Sequence, residues 1–239
     1  MKKLLPLLLI VCLLTACAPQ NTVQNTAQNT PPDTGSNSAQ TETQPPAATE
    51  PTETEPAPIA PLPSTVDLSA AEDCTLFVSF EEDDFSTDAD GRTLLTVSVY
   101  DYERFDMVDM AMLQEGSTIL LRGEEVTVTA LERLEDGTLL INGGVFEGGY
   151  EMGTDESTVF FEVRENDHRE FYLLGEITLP LSTDFVLTDN AVPDNPGLTF
   201  DAAALAAGEV AYIYTFCPLN TTARISGGEI VSMERRYIP

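Results

Sequence analysis

The chain has 239 residues, with 40 acidic against 11 basic side chains and a formal charge of −29, a balance that excludes phosphate backbones and anionic membrane surfaces as natural partners. Lys2 and Lys3 are its only lysines, so lysine Schiff-base chemistry is excluded for everything that follows them. His168 is the one histidine and there is no tryptophan, which leaves a hydrolase triad one candidate base and a sugar cleft no indole to stack on.

Lys2 and Lys3 precede an apolar run, Leu4 to Leu14, too short to span a bilayer, and Leu14-Thr15-Ala16-Cys17 ends it just before a polar tract. This stretch resembles the signal peptide and lipobox of bacterial lipoproteins. The resemblance implies that residues 1–16 are removed, that Cys17 carries a lipid, and that the protein is anchored through it on the outer face of the bacterial cell membrane.

Residues 17–63 change abruptly to Thr, Gln, Asn, Pro and Glu, without an aromatic side chain. Gln20-Asn21-Thr22 recurs at residues 24 and 28, and Thr-Glu-Pro units follow at Thr49 and Thr54. Such a segment cannot bury enough apolar area to offset its ordering entropy, and is expected to be a disordered tether with a coil span of about 40 Å.

From residue 64 the pattern is strand after strand. Leu76, Val78 and Phe80 alternate, a turn at Asp88 to Gly91 follows, and Leu95, Val97 and Val99 repeat the period. A short helix is expected over 105–113, with Met107, Met110 and Met112 as either core filler or an adaptable binding ridge. Leu113 to Ile119 is similar to the opening turn of small β-barrels, with Ser117 where Asp is usual. A meander then runs through Ile119 and Leu121, the turn at Gly123-Glu124, Val126 and Val128, Asp136-Gly137, and Leu139 to Ile141. Gly143-Gly144 and Gly148-Gly149 mark bulges or close backbone approach.

Val159, Phe161 and Val163 form the next strand, and Asn166-Asp167 turns it towards Phe171 to Leu174. Residues 176–188 continue as strand, with Pro180 confining that part to an edge or bulge. Asp201 caps a second helix over 201–207 that Gly208 stops, and Val210 to Phe216 gives an aromatic strand before a last hairpin at Gly227-Gly228. The expected fold is mainly β, an antiparallel meander forming small barrels or a sandwich with two short helices. Its expected parts are an N-terminal β subdomain over 64–150 and a C-terminal one over 151–239, which could also pack as one domain.

Cys12 leaves with the signal and Cys17 takes the lipid, so Cys74 and Cys217 are the pair that an oxidising compartment could join; otherwise they are buried free thiols. Zinc fails on ligand count, and neither a phosphate loop nor a dinucleotide fingerprint is present. Asp84, Asp88 and Asp90 before Gly91 suggest an irregular calcium loop, although Ser86 and Val97 stand at the end positions of an EF-hand register. His168 lies in a charged turn, which rarely supplies the cleft that base catalysis needs.

The expectation is a non-catalytic, cofactor-free surface module for an extracellular protein, peptide or glycan. Its contact points would be the Met107 to Met112 and Val210 to Phe216 stretches. The rivals are a glycan hydrolase with paired carboxylates and a calcium-dependent adhesion module.

Overall fold

The computed structural model describes residues 56–154, 159–210 and 216–238. The signal, the lipobox, most of the tether, Tyr212 and Tyr214 lie outside them. The described chain is mainly β, with two short helices.

Three strands come first: β1 (Thr75–Ser79), β2 (Phe85–Thr87) and β3 (Thr93–Asp101). The Asp88–Gly91 turn joins β2 to β3, while β1 pairs with the later half of β3, Phe77 facing Tyr100 and Ser79 facing Ser98. A 3-10 turn at Glu82–Asp84 separates β1 from β2, held by the Asp84 carboxylate accepting the Glu81 N–H at 2.7 Å.

Residues 102–171 then build a second body. It runs β4 (Arg104–Asp106), α1 (Met107–Met112), β5 (Thr118–Leu121), β6 (Glu124–Thr127), β7 (Leu131–Arg133), β8 (Leu139–Ile141), β9 (Tyr150–Thr154), β10 (Phe160–Glu165) and β11 (His168–Arg169). Asp106 caps α1 by accepting the Val108 N–H, and Met110 is its buried residue.

The chain returns as β12 (Tyr172–Asn190), followed by β13 (Leu198–Phe200), α2 (Ala202–Ala206), β14 (Thr221–Ser226) and β15 (Glu229–Arg236). The Asp201 carboxylate accepts the Ala204 N–H at the start of α2, and Gly208 follows it at φ +69°.

Strand β12 makes closure possible. Its first half pairs antiparallel with β3, Tyr172 against Asp101 through Pro180 against Leu94, and its second half runs parallel to β15. Pro180 sits where the β3 ladder ends, beside the register shift between Leu181 and Val186, so its missing N–H falls where the strand changes neighbours. The ring β1-β3-β12-β15-β14 closes through the β14–β1 pair into a five-stranded mixed barrel. One parallel pair between the third and fifth barrel strands, with a helix between the third and fourth, is the Greek-key connectivity of OB-type barrels.

Two cores result, and they do not follow the halves of the chain. The barrel core takes Leu76, Val78, Val97, Leu187, Ile225 and Met233 from both ends of the sequence, with Leu205 of α2 packed in. The second takes Phe105, Met110, Ile119, Leu139, Met152 and Phe161 from the inserted body. The division expected between residues 150 and 151 therefore falls inside β9, because the second body is spliced between two barrel strands.

The last residues assigned to the tether are part of the structure. Ile59 donates to Thr118 O and accepts from Leu120 N, both at 2.8 Å, and Leu62 N donates to Arg104 O at 2.7 Å. Ile59 packs on the second core and Val66 and Leu68 on the first, so this strap runs along both.

Candidate functional site

The two connections between barrel and inserted body lie side by side, because Asp101 and Tyr172 are paired residues of β3 and β12. Glu103 sits just past one crossing and Glu170 just before the other. The β5–β6 hairpin meets both carboxylates with its turn, Arg122-Gly123, whose φ values of +53° and +77° give the primed turn that matches strand twist.

Both Glu103 oxygens accept the Arg122 main-chain N–H, at 2.9 and 3.0 Å. The Arg122 guanidinium donates from Nη2 to Glu170 Oε2 at 2.5 Å and lies 5.5 Å from the centre of the Tyr150 ring. Val163, Phe171 and Tyr172 complete a cleft of about 450 Å³.

Burial pushes the Glu103 carboxyl up, the Arg122 N–H pulls it back, and the charge of Glu170 adds to the rise. Burial also raises the Tyr172 phenol, helped by the charges of Asp101 and Glu103. The field in the cleft is negative.

The wall behind it is cross-linked by side-chain contacts. Arg169 stacks 3.8 Å from the centre of the Tyr102 ring while its Nε donates to Glu162 at 2.7 Å, and Glu162 is 3% exposed. Phe171 packs on Phe77 of the barrel with ring centres 4.9 Å apart. Arg164 donates to Thr154 O at 2.6 Å and lies across Gly153, where a Cβ would come within 2.8 Å of its Nε. These contacts hold the β10–β11 hairpin, and with it Glu170. Glu170 and Phe171 also line a second cleft, of about 320 Å³, with His168 and Leu219.

A glycosidase needs two carboxyl groups with room between them for the sugar and, in inverting enzymes, a water. Here Arg122 bonds to both, through its main chain and its side chain. The cleft sets these bonded charges beside an apolar wall.

The residues singled out from sequence fall elsewhere. Cys74 and Cys217 are both free. The possible disulfide is not formed, and the free-thiol alternative holds: Cys74 precedes β1, whereas Cys217 follows Phe216, which bridges Phe80 beyond the other end of that strand. Six extended residues span about 20 Å, several times the Cα separation a disulfide tolerates.

Asp88 Oδ1 accepts the main-chain N–H groups of Asp90 and Arg92, and Oδ2 accepts Arg92 Nε. Asp84 caps the neighbouring 3-10 turn. Among the described residues no three carboxylate, cysteine or histidine side chains gather as a metal-holding group.

The methionines divide: Met110 is buried, whereas Met107, Val108 and Met112 are exposed together with Val159. Val210 and Phe216 are core residues. Cys17, Tyr212 and Tyr214 lie outside the described residues.

Glu103, Arg122 and Glu170 were not legible as a group. Each sits in a charged or turn-forming stretch, and only the closure of the inserted body brings them together. A comparison with family models, curated proteins and solved structures finds no match to the chain.

Proposed function

We propose that this chain is a surface lipoprotein, anchored through a lipid on Cys17, whose folded part is a non-catalytic binding module. Its ligand, or a segment of a protein, peptide or glycan partner, enters the junction cleft. The lipobox stretch at Leu14 to Cys17 and the Thr- and Pro-rich tether support the anchoring.

The observation that carries the binding reading is the Glu103–Arg122–Glu170 arrangement. It is a concave site with an apolar wall and a few converging polar groups, as ligand sites are. Arg122 bonds to both carboxylates, to Glu103 through its main chain and to Glu170 through its side chain, which suits recognition more than proton transfer. The inventory argues the same way: the chain lacks lysine beyond residue 3, and its one histidine lies outside the cleft.

Mass spectrometry of membrane-extracted protein should find a diacylglyceryl adduct on Cys17, and Cys17→Ala should accumulate as uncleaved precursor. Recovery of the wild type from the cytosol would refute the anchoring. Glycan, peptide and ester panels should show no turnover by the purified protein. Glycan turnover abolished by Glu103→Gln would establish the glycan hydrolase instead, with the raised Glu103 carboxyl as its acid.

A further inference from the structure

We infer that the ligand of the junction cleft is an aliphatic amine, an ammonium head on an alkyl chain; this rests on the reading of the cleft as a binding site. The sign of the charge comes first. Glu103 and Glu170 share the cleft with one guanidinium, so its lining keeps one formal negative charge, in a chain of formal charge −29, while Asp101 behind it is paired with Arg104 at 3.6 Å. An anion entering there meets two carboxylates, and the cation that could receive it is already bonded to Glu170.

Hydrogen-bond capacity points the same way. A carboxylate offers about four lone-pair directions. The donor that the structure gives Glu103 is one main-chain N–H, that of Arg122. The cleft therefore has acceptors to spare, and what fits them is a donor-rich head. An ammonium brings three N–H groups and a positive charge to a carboxylate whose burial has cost it water.

The walls select the rest of the molecule. Val163 and Phe171 present apolar surface that methylene groups can cover, and Tyr172, a residue 41% exposed, adds to the lining an aromatic ring of the kind that attracts cations. The same neighbourhood already stacks its own cations on rings, Arg122 near Tyr150 and Arg169 on Tyr102. A neutral sugar would find neither an indole platform in this chain nor many donors in this cleft.

The chemistry is shared by a lysine side chain carried on a peptide and by a free diamine, and calorimetric titration of the full-length chain separates the two. The probes are Nα-acetyl-lysine N-methylamide and cadaverine, with Nα-acetyl-norleucine N-methylamide as neutral control and glutarate as anionic control. At least one amine should bind, more weakly as salt is added, and neither control should. Blocked lysine alone would identify a peptide source, cadaverine alone a free diamine, and binding of both the shared head and chain.

Glu103→Gln should weaken the amine by about tenfold. Glu170→Gln should act in the same direction, and it carries the test if the first variant does not fold. Arg122→Gly keeps the left-handed turn and the main-chain N–H on Glu103 while freeing Glu170, so it should tighten the amine severalfold. Failure of both amines to bind would overturn the inference. Binding of glutarate or of the neutral amide, abolished in Arg122→Gly, would overturn the ligand class and leave the cleft a binding site. Turnover of any probe would overturn the binding-module reading itself.

Discussion

Arg235 and Asp189 face each other across the parallel pair of the barrel, the guanidinium reaching both carboxylate oxygens at 2.9 and 2.5 Å with the arginine side chain 0% and the aspartate 2% exposed. The guanidinium also lies 4.5 Å from the centre of the Phe216 ring. A buried pair contributes little net stability against a well-packed apolar pair, yet removing one partner strands the other charge. Asp189→Leu or Arg235→Met should each cost about 3–5 kcal/mol, and the two changes together should cost less than the sum. Urea unfolding of the four proteins checks this, and additive losses would contradict it.

Glu103 sets a pH dependence in the direction opposite to that of most paired carboxylates. Its folded pKa is raised, chiefly by burial, so the folded state holds its proton more tightly than the unfolded state does. Stability should then fall as pH rises from the ordinary glutamate range through the raised value, and level off above it. Glu103→Gln removes this titration. The wild type should lose ground against the variant across that window in urea midpoints, whereas a gain with rising pH would show the carboxylate to be stabilised by folding.

Gly149 is required by space. A Cβ there would stand 2.0 Å from the Ile141 carbonyl oxygen and 2.6 Å from that of Asn142, both backbone atoms that cannot swing away. Gly149→Ala should cost about 3 kcal/mol. Gly137 has φ +90° and nothing within 4 Å of the same position. Gly137→Asn should stay within about 1 kcal/mol, because asparagine tolerates the left-handed region. Thermal melts of the two variants should differ accordingly.

Calcium should leave the melting temperature unchanged. The Asp88 carboxyl is held below its usual range, first by the Arg92 main-chain N–H, and three donors already occupy its oxygens. A specific site filled at a hundred times its dissociation constant would add about 2.7 kcal/mol, which melts with calcium and with EDTA would detect.

The strands were legible because one buried face writes a period of two into the sequence. Leu76 and Val78, Leu95, Val97 and Val99, Ile119 and Leu121, and Leu139 and Ile141 are all core residues. Both helices lie within the expected spans because Asp106 and Asp201 cap them. Which strand pairs with which was not legible. Closure depends on β12 changing partners midway, and alternation is identical on either side of that change.

The same limit hid the site. Residues 103, 122 and 170 are far apart in the chain, and each looks like a solvated charge until the β5–β6 turn is placed between the two crossings. Val159 shows the converse failure. It continues the alternation of Phe161 and Val163 but lies just outside β10 and is 71% exposed.

Amide chemical shifts of the isotope-labelled chain, followed while cadaverine or blocked lysine is added, test the binding cleft most directly. Saturable perturbations centred on Glu103, Arg122, Val163 and Glu170 to Tyr172 are expected, absent with glutarate. Perturbations centred instead on the exposed Met107, Val108 and Met112, or on Phe146, whose ring-bearing side chain is exposed between β8 and β9, or none at saturating amine, would contradict the assignment of this cleft as the binding site.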